Sequence, residues 1–158
     1  MDVPVVGEGF RGVEGHSGYL LRQAWHAFSG AMEAELRRHG LTGAQYAVLS
    51  VLARQPGLSG ADLARACNTT AQAMNGVLGT LQRERLITRT AHPTHGRILR
   101  TDLTTEGRRR LDRATPAVRV VEGAVEAGLS PAQVAEVKRW LVAVAQRLDS
   151  SPPGERSI

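Results

Sequence analysis

Several residue types are scarce in this chain of 158 residues, and each scarcity excludes a class of protein. Cys67 is the only cysteine, so the chain has no internal disulfide and offers no pair of thiolates to zinc. Aromatic residues make up only 4% of the chain, whereas apolar residues in total reach 42%. This balance favours a helical protein built on Leu, Val and Ala, and the length suits one domain with a core.

Long apolar runs and targeting signals are also missing. The run Trp140–Ala145 is among the longest and is far short of the ~20 residues that cross a bilayer. The first ten residues carry Asp2 and Glu8 and show no basic segment followed by an apolar run, so we do not expect secretion. These absences favour a protein of the reducing cytoplasm.

The sequence shows no pattern typical of an enzyme or of a bound cofactor. It contains no Ser–His–acid order, phosphate loop, H-E-x-x-H motif or supported pair of carboxylates. His92 and His95 have H-x-x-H spacing, but two ligands without cysteine or carboxylate support make an incomplete metal site. We therefore expect no catalysis, no cofactor and no metal.

Positive charge is concentrated in the middle of the chain. Residues 54–113 hold eleven arginines and five carboxylates, a balance of +6, although the whole chain is only +5. Such a local positive field favours a polyanionic partner. The alternative is a solvated basic surface, since a GC-rich genome also favours arginine and Lys138 is the only lysine.

The segment Leu58–Leu103 has the layout of a winged helix-turn-helix. Two helix-start signals, Ser59-x-x-Asp62 and Thr69-x-x-Gln72, stand within ten residues of each other and predict two short helices that meet at a corner. Leu86–Thr90 and Arg97–Leu103 alternate like strands of a hairpin. This order of elements predicts a DNA-binding lobe.

The second helix of the corner, Ala71–Glu84, is the predicted recognition helix. Its inner side gathers Met74, Val77, Leu78 and Leu81. Amide side chains can pair with adenine edges, and small side chains can pack on thymine methyls. Glycine on the outer side lets the backbone approach DNA closely, although Gly79 has the alternative of relieving a crowded helix contact. The predicted DNA-binding residues are Thr69, Thr70, Gln72, Ala73, Asn75, Gly76 and Thr80.

Arginines around the corner supply the other predicted DNA contacts. Arg97 follows the tip of the hairpin and can enter a narrow minor groove, with His95 beside it; the alternative is an exposed arginine without function. We expect phosphate contacts from Arg54, Arg65, Arg83 and Arg89.

Long helices flank the lobe. The first carries an apolar stripe of Leu21, Trp25, Phe28, Met32 and Leu36, and Gly40 follows its end. After the hairpin a second long helix contains Pro116, which should kink or interrupt it, and Ser130-Pro131-Ala132-Gln133 starts a third. We expect residues 1–15 to be loose and Ser150–Ile158 to fray.

In this arrangement the sequence resembles the MarR family of bacterial transcriptional regulators. The resemblance spans about residues 17–149 and is carried by Leu58–Ala64, Leu81–Ile87, the hairpin ending at Arg97 and Leu103–Arg108. It implies a mainly α fold with a small β-hairpin, in which residues 1–158 form a single MarR-like domain. Residues 42–103 would form the winged helix-turn-helix lobe, and residues 17–39 and 104–149 the dimerisation helices of a triangular homodimer on a palindromic operator.

The resemblance also implies an effector, and it has one departure. Family wings often carry Asp-x-Arg, but His95-Gly96-Arg97 stands here. Many relatives leave DNA when a small phenolic or lipophilic ligand binds, and the candidate pocket residues here are Tyr19, Trp25, His26 and Tyr46. The alternative for Trp25 and Tyr46 is a place in the core.

The sequence therefore predicts a cytoplasmic, dimeric, sequence-specific repressor that a small effector releases from double-stranded DNA. Two other functions stay open. One is a nucleoid-type architectural protein, although the small polar recognition face argues against it. The other is a metal- or redox-responsive regulator, for which Cys67 is the candidate thiol, but a buried structural cysteine is the default for such a residue.

Overall fold

A computed structural model of the chain describes residues 3–91 and 98–149. Within these ranges a short 3₁₀ turn, Gly9–Arg11, precedes six α-helices and one antiparallel pair of strands. By internal contacts the chain divides within the fifth helix into two compact units, Met1–Val121 and Glu122–Ile158. The elements are α1 (Ser17–Arg37), α2 (Gly43–Arg54), α3 (Gly60–Ala66), α4 (Ala71–Arg83), β1 (Ile87–Ala91), β2 (Leu99–Leu103), α5 (Thr105–Glu126) and α6 (Pro131–Asp149).

The start signals at Ser59 and Ser130 act as predicted, and Thr42 starts α2 in the same way. Thr42 accepts a hydrogen bond from the backbone N–H of Gln45 (3.2 Å), and the Gln45 amide oxygen accepts one from the backbone of Thr42 (2.9 Å), which completes a capping box. Ser59 and Asp62 form the same reciprocal pair at α3. At α6, Ser130 and Gln133 exchange bonds of 2.8 and 3.3 Å. Each pair satisfies N–H groups that a helix N-terminus leaves without partners.

The corner between α3 and α4 depends on a left-handed residue, Asn68, at φ 50°. The N–H of Thr69 then reaches back to the carbonyl of Ala64 (2.9 Å), a bond typical of a helix that ends in a Schellman motif. The hydroxyl that caps α4 belongs to Thr70 and accepts from the N–H of Ala73 (3.1 Å). The expected start signal at Thr69 is therefore one residue early.

The two strands pair in the register Ile87↔Leu103 to Ala91↔Leu99. Leu58 adds an isolated bridge to Thr101, so the approach to α3 lies against β2. β1 runs one residue later than the predicted Leu86–Thr90, and β2 starts at Leu99. The predicted wing residues His95 and Arg97 lie outside the described residues.

The core of the first unit lies where α1 to α5 and the strands meet. Its fully buried members include Leu49, Leu63 and Leu78, one each from α2, α3 and α4. Burying a side chain of this size stabilises the fold by about 1.5–3 kcal/mol. The inner side of α4 is thereby held in the core. The whole buried cluster consists of Leu36, Leu41, Val48, Leu49, Leu52, Leu63, Ala64, Met74, Leu78, Leu81, Leu86, Ile87, Leu111, Ala114 and Val118.

The first turn of α5 packs directly on the end of α4. The hydroxyl of Thr104 donates to the carbonyl of Arg85 (2.7 Å), and its N–H donates to the carbonyl of Leu86 (3.1 Å). A Cβ at Gly107 would lie 2.0 Å from the Leu86 carbonyl oxygen, so only glycine allows this approach. Arg110 of the next turn reaches Glu84 at 3.3 Å.

Pro116 does not interrupt α5, which is continuous from Thr105 to Glu126. Proline removes one hydrogen-bond donor from a helix, and packing can compensate for that loss. Ala114 and Val118, on either side of the proline, are both buried. The expected interruption is therefore wrong, whereas the kink that was the other expectation stays a prediction.

Three helices leave large apolar side chains exposed: α1, α6 and α5, the last through Val120 and Val125. On α1, Leu36 is fully buried, but Trp25 is 64% exposed although it belongs to the same predicted stripe. On α6 of the second unit, Trp140 is 45% exposed, and Val137, Leu141 and Leu148 are exposed as well. Exposed apolar stripes of this length mark an interaction surface. In the part of the chain that is described, no helix is long and apolar enough to cross a membrane.

Candidate nucleic-acid interface

The exposed side of α4 is the centre of the candidate interface. Met74, Leu78 and Leu81 hold the inner side in the core. The opposite side exposes the predicted recognition residues of the first two turns. These are Thr69, Thr70, Gln72, Ala73, Asn75 and Gly76, all of which are solvent-exposed. Side chains that can read base edges thus stand on one surface of a rigid helix.

Glycine leaves the backbone of α4 exposed on this side, without a side chain above it. No heavy atom lies within 4 Å of a Cβ built at Gly76 or at Gly79. The alternative explanation for Gly79, relief of crowding against a neighbouring helix, is therefore wrong for the described chain. An exposed helical glycine costs roughly 1 kcal/mol against alanine, so its presence here needs a reason outside the fold.

Thr80 and Arg83 are tied to their own helix. The hydroxyl of Thr80 donates to the carbonyl of Gly76 (3.2 Å), and Arg83 Nη2 donates to the Thr80 oxygen (2.9 Å). Arg83 Nε also donates to the carbonyl of Gly79 (3.3 Å). The Thr80 hydroxyl is thus occupied by a local network, and the guanidinium of Arg83 is held along the exposed side of α4.

Arg89 links the strands to the corner. Its side chain is half-buried, and its Nε is buried without a hydrogen-bond partner. The Nη2 atom lies 3.6 Å from the position that a Cβ of Gly60 would take, and the Asn75 side-chain oxygen lies 3.9 Å from the same point. The guanidinium therefore stands between the start of α3 and the recognition helix, where the missing side chain of Gly60 leaves room for it.

A second polar group without a partner lies beside Arg89. Thr101 is its cross-strand neighbour, and the Thr101 side chain is fully buried with an unpaired hydroxyl oxygen. Buried polar groups normally have partners, since leaving one unpaired costs about 1–3 kcal/mol. The charge of Arg89 is thus held beneath the exposed helix without an internal counter-ion among the described residues.

Arg65 and Arg54 flank the same surface. Arg65 forms an ion pair with Asp62, and both side chains are largely exposed. Hydrogen bonds from the hydroxyl and the backbone of Ser59, and then the charge of Arg65, hold the pKa of Asp62 below its ordinary value. Exposed pairs of this kind contribute little to stability, so Arg65 can exchange its partner. Arg54 ends α2 with its side chain in solvent.

Sequence reasoning missed Arg100 of β2. A Cβ at Gly57 would lie 2.6 Å from Arg100 Nη2, so the guanidinium covers the backbone of this left-handed glycine, at φ 78°. Arg100 is paired with Thr90, one step from the Arg89–Thr101 pair, and therefore stands on the opposite face of the ribbon from Arg89. The alternation within the strand was the available signal, but the turn it covers lies more than forty residues earlier.

Of the four predicted effector-pocket residues, two line one depression on α1. Tyr19 and His26 line a depression of about 290 Å³ together with Arg11, Arg22 and Gln23, which the sequence did not single out. Trp25 is outside it, with its ring 5.8 Å from that of Phe28. Tyr46 packs against the core, as the alternative had it, whereas a core position is wrong for the exposed Trp25.

The alternative sensing chemistry finds little support. Cys67 is half-buried at the end of α3, and burial raises the pKa of its thiol, which disfavours the reactive thiolate. Among the described residues no group of three His, Cys, Asp or Glu side chains is placed to hold a metal ion.

Known proteins with similar sequences and structures are DNA-binding regulators. A sequence model described as MarR family matches residues 39–98. The HTH-type transcriptional repressor Rv2887 of Mycobacterium tuberculosis is 39% identical over 124 residues, which are 78% of this chain and 89% of the relative.

Two solved structures extend the comparison. The MarR family protein Rv2887 of M. tuberculosis in complex with salicylic acid has a TM-score of 0.65 and 37% identity, over 82% of this chain and 96% of that one. The transcriptional repressor CouR, bound to a 23-mer DNA duplex, has a TM-score of 0.79 and 24% identity, over 87% and 98% of the two chains. The latter likeness speaks for the fold alone.

Proposed function

This chain belongs to the MarR family of DNA-binding transcriptional regulators, and from that premise we propose that it represses transcription as a homodimer on a palindromic operator until a small organic effector releases it. The observation that carries the proposal is the outer side of α4, where amide, small and glycine residues stand exposed above a fully buried inner side. The role in the cell is regulatory, without an enzymatic step, and its place is the cytoplasm.

One part of the chain binds DNA, and another part forms the dimer. Residues 42–103 form the winged helix-turn-helix lobe, and residues 17–39 and 104–149 supply the dimerisation helices. Exposed apolar side chains on α1 and, separately, on α6 support this division because a second copy would cover them. Two recognition helices related by a dyad then enter successive major grooves, ~10 bp apart.

Bases are read by the first two turns of α4. Gln72 and Asn75 present amides that can pair with adenine, each good pair being worth about 1–3 kcal/mol of discrimination. Thr69, Thr70 and Ala73 supply small contacts, and Gly76 lets the backbone come close to the DNA. Thr80 contributes through its methyl group, since its hydroxyl bonds within the helix.

Arginine side chains make the proposed contacts with DNA phosphates and with the minor groove. Arg54, Arg65, Arg83 and Arg89 are the proposed phosphate contacts, and the buried Nε of Arg89 without a partner supports a charge held ready for an external anion. On sequence and family resemblance alone, Arg97 with His95 takes the minor-groove position. A protein that coats DNA without reading it would carry cations on the outer side of α4, and its first two turns, residues 71–78, hold none.

A footprint on genomic DNA fragments tests the proposal. The expected result is a protected palindrome, with binding to a scrambled duplex of equal length at least 100-fold weaker. Gln72→Ala should lose roughly 10-fold or more on the operator and little on the scrambled duplex, because it removes base reading.

A phosphate contact behaves differently and provides the matched comparison. Arg89→Gln should weaken binding to both duplexes and reduce the slope of log K against log salt by about 1. Equal affinity of the wild-type protein for operator and scrambled DNA would refute sequence-specific repression.

A further inference from the structure

Arg110 of α5 lies beside the ends of two other helices. Its Nη1 donates to a carboxylate oxygen of Glu84, the residue that caps the end of α4, at 3.3 Å. Its Nη2 lies 3.9 Å from the carboxylate of Glu106, one turn earlier in α5. Nη1 is also 3.7 Å from the position that a Cβ of Gly40 would take, in the turn that follows α1. One guanidinium therefore links α5 to the end of α4, next to the turn that ends α1.

The carboxylate of Glu84 stands at an unfavourable place for a negative charge. The last carbonyl groups of a helix have no partners within it and carry partial negative charge, so an anion there is repelled and a cation is attracted. Arg110 supplies the cation that offsets this repulsion. Its side chain is 26% exposed, so water screens this pair less than it screens a pair in open solvent.

Arg113 shows what the same residue type does without such a link. It lies one turn further along α5 and forms an ion pair with Glu106 (3.1 Å), within its own helix. Its side chain is 65% exposed. Arg110 and Arg113 thus share the carboxylate of Glu106, but the ion pair of Arg110 with Glu84 also reaches the end of α4.

Arg110 adds a second point of attachment between α5 and the end of α4. The first is the close approach of Gly107 to the carbonyl of Leu86, and Arg110 lies about one turn further along α5. One point fixes how far apart two elements lie, whereas two points also fix the angle between them. In a dimer joined through α5, that angle sets the separation of the two recognition helices, which must match half-sites about 34 Å apart.

We propose that Arg110 is a positioning residue for operator binding: its ion pair with Glu84 fixes α4 against α5 and thereby determines which half-site separation the dimer accepts. In this role Arg110 acts through Glu84 and contacts no base. The inference rests on the dimeric DNA binding proposed above and adds to it a residue that determines specificity for spacing.

Operators of altered spacing test this role on the full-length protein. The set comprises the operator and two versions in which one base pair is added or removed between the half-sites. Wild-type protein should bind both altered duplexes at least about 10-fold more weakly than the operator. Arg110→Gln should bind the operator about 10-fold more weakly than wild type and the altered duplexes about equally well, so most of the discrimination is lost.

Two controls isolate the position of α4. Arg113→Gln removes the same charge from the same helix without touching the link to α4, so its discrimination between spacings should equal that of wild type. A duplex with a single half-site needs no spacing, and wild type and Arg110→Gln should bind it equally. If Arg110→Gln lost as much affinity for the single half-site as for the operator, the positioning role would be refuted.

A double-mutant cycle identifies Glu84 as the partner. Glu84→Gln should lose discrimination as Arg110→Gln does, and the double variant should lose no more than either. The sign of the effect is informative, because removing a negative charge would strengthen binding if these residues acted on DNA only through their field. Tighter operator binding by Glu84→Gln, or additive losses, would overturn the proposal. Glu84 is the more exposed partner, so this variant also serves if Arg110→Gln does not fold.

The same titrations separate this inference from the function on which it rests. Wild-type protein that binds operator and scrambled duplex equally refutes sequence-specific repression and the positioning role together. Wild-type protein that prefers the operator, with Arg110→Gln discriminating between spacings as well as wild type, refutes the positioning role alone. Sedimentation of each variant should show the same mass as wild type, and a monomeric Arg110→Gln would place the residue in dimer formation instead.

Discussion

At the scale of single residues, three helices end through the same bond at a left-handed residue. Gly40, Asn68 and Arg85 have φ of 67°, 50° and 57°, and in each case the next N–H reaches the carbonyl five residues back, at 3.1, 2.9 and 2.9 Å. Glycine adopts this conformation freely and asparagine tolerates it, whereas an arginine there is strained.

Replacing the strained arginine should stabilise the protein. Arg85→Gly removes a left-handed conformation that costs about 1–2 kcal/mol, against about 0.4–1 kcal/mol for the greater freedom of the unfolded chain, so the free energy of unfolding should rise by roughly 0.5–1 kcal/mol. Urea denaturation measures the change. Arg83→Gly, two residues earlier and inside α4, should instead lower it by about 1 kcal/mol, and a loss of stability in both variants would contradict the strain.

Single residues also show what the sequence can predict. The capping pairs Ser59–Asp62 and Ser130–Gln133, the left-handed Gly40 and the exposure of the outer residues of α4 are confirmed, because local chemistry and helical period determine them. The surroundings of Arg89 and Arg100 depend on which distant glycine faces them, Gly60 and Gly57, and no local pattern contains that pairing.

At the scale of elements, α4 combines a buried inner side with an exposed outer side whose two glycines lower the helix propensity. Gly76 and Gly79 both stand in open space on the outer side of α4, and Gly76 is nearer to the N-terminus of the helix, between Gln72 and Ala73 of its first turn and the rest of the helix. Stability favours alanine at both positions, so close approach to DNA would explain glycine at Gly76.

Two alanine substitutions separate these effects. Gly76→Ala and Gly79→Ala should each raise the free energy of unfolding by up to about 1 kcal/mol. Gly76→Ala should also lower operator affinity about 10-fold, because a methyl group would stand in the first two turns, where the backbone is proposed to meet DNA. Gly79→Ala should lower it less, because position 79 is almost one turn further from the helix N-terminus. Mobility shifts on both variants measure this, and equal operator affinity for the two would contradict the assignment of the close approach to the first two turns of α4.

Among the elements, short-range signals predicted the order of helices and strands well. The first strand shifted by one residue. The cap of α4 moved from Thr69 to Thr70, and the N–H of Thr69 instead bonds back to the carbonyl of Ala64 at the end of α3. Pro116 misled the prediction because the buried residues around it, Ala114 and Val118, hold α5 together where the sequence alone suggests a break.

At the scale of the whole molecule, the exposed apolar side chains of α1 and of α6 require a cover. The periodicity that predicted a buried stripe on α1 was right about its direction, but within one chain only its last part is buried. A sequence pattern does not distinguish burial within a chain from burial between chains, which is why a core position was an alternative for Trp25.

Disrupting the contact that covers the exposed stripe of α6 should abolish both dimerisation and operator binding. Sedimentation should give the wild-type protein a mass of about 34 kDa, twice the 17.0 kDa of one chain. Leu141→Arg places a charge in the exposed stripe of α6, so this variant should sediment as a monomer and lose operator binding at least 100-fold. Arg139→Gln, on the opposite side of α6, should remain dimeric, and a dimeric Leu141→Arg variant would contradict the role of α6.

The contact between Gly107 and the carbonyl of Leu86 joins the first turn of α5 to the chain just after α4, the predicted recognition helix. Thr104, Gly107 and Arg110 fasten its first turns to the end of α4, with no side chain between the two backbones to yield. We therefore expect a tilt of the first turns of α5 to move α4 with it. Because one base-pair step along DNA is only ~3.4 Å, a tilt that moves the tips of two such helices by a few ångströms puts them out of step with the grooves while each lobe stays folded.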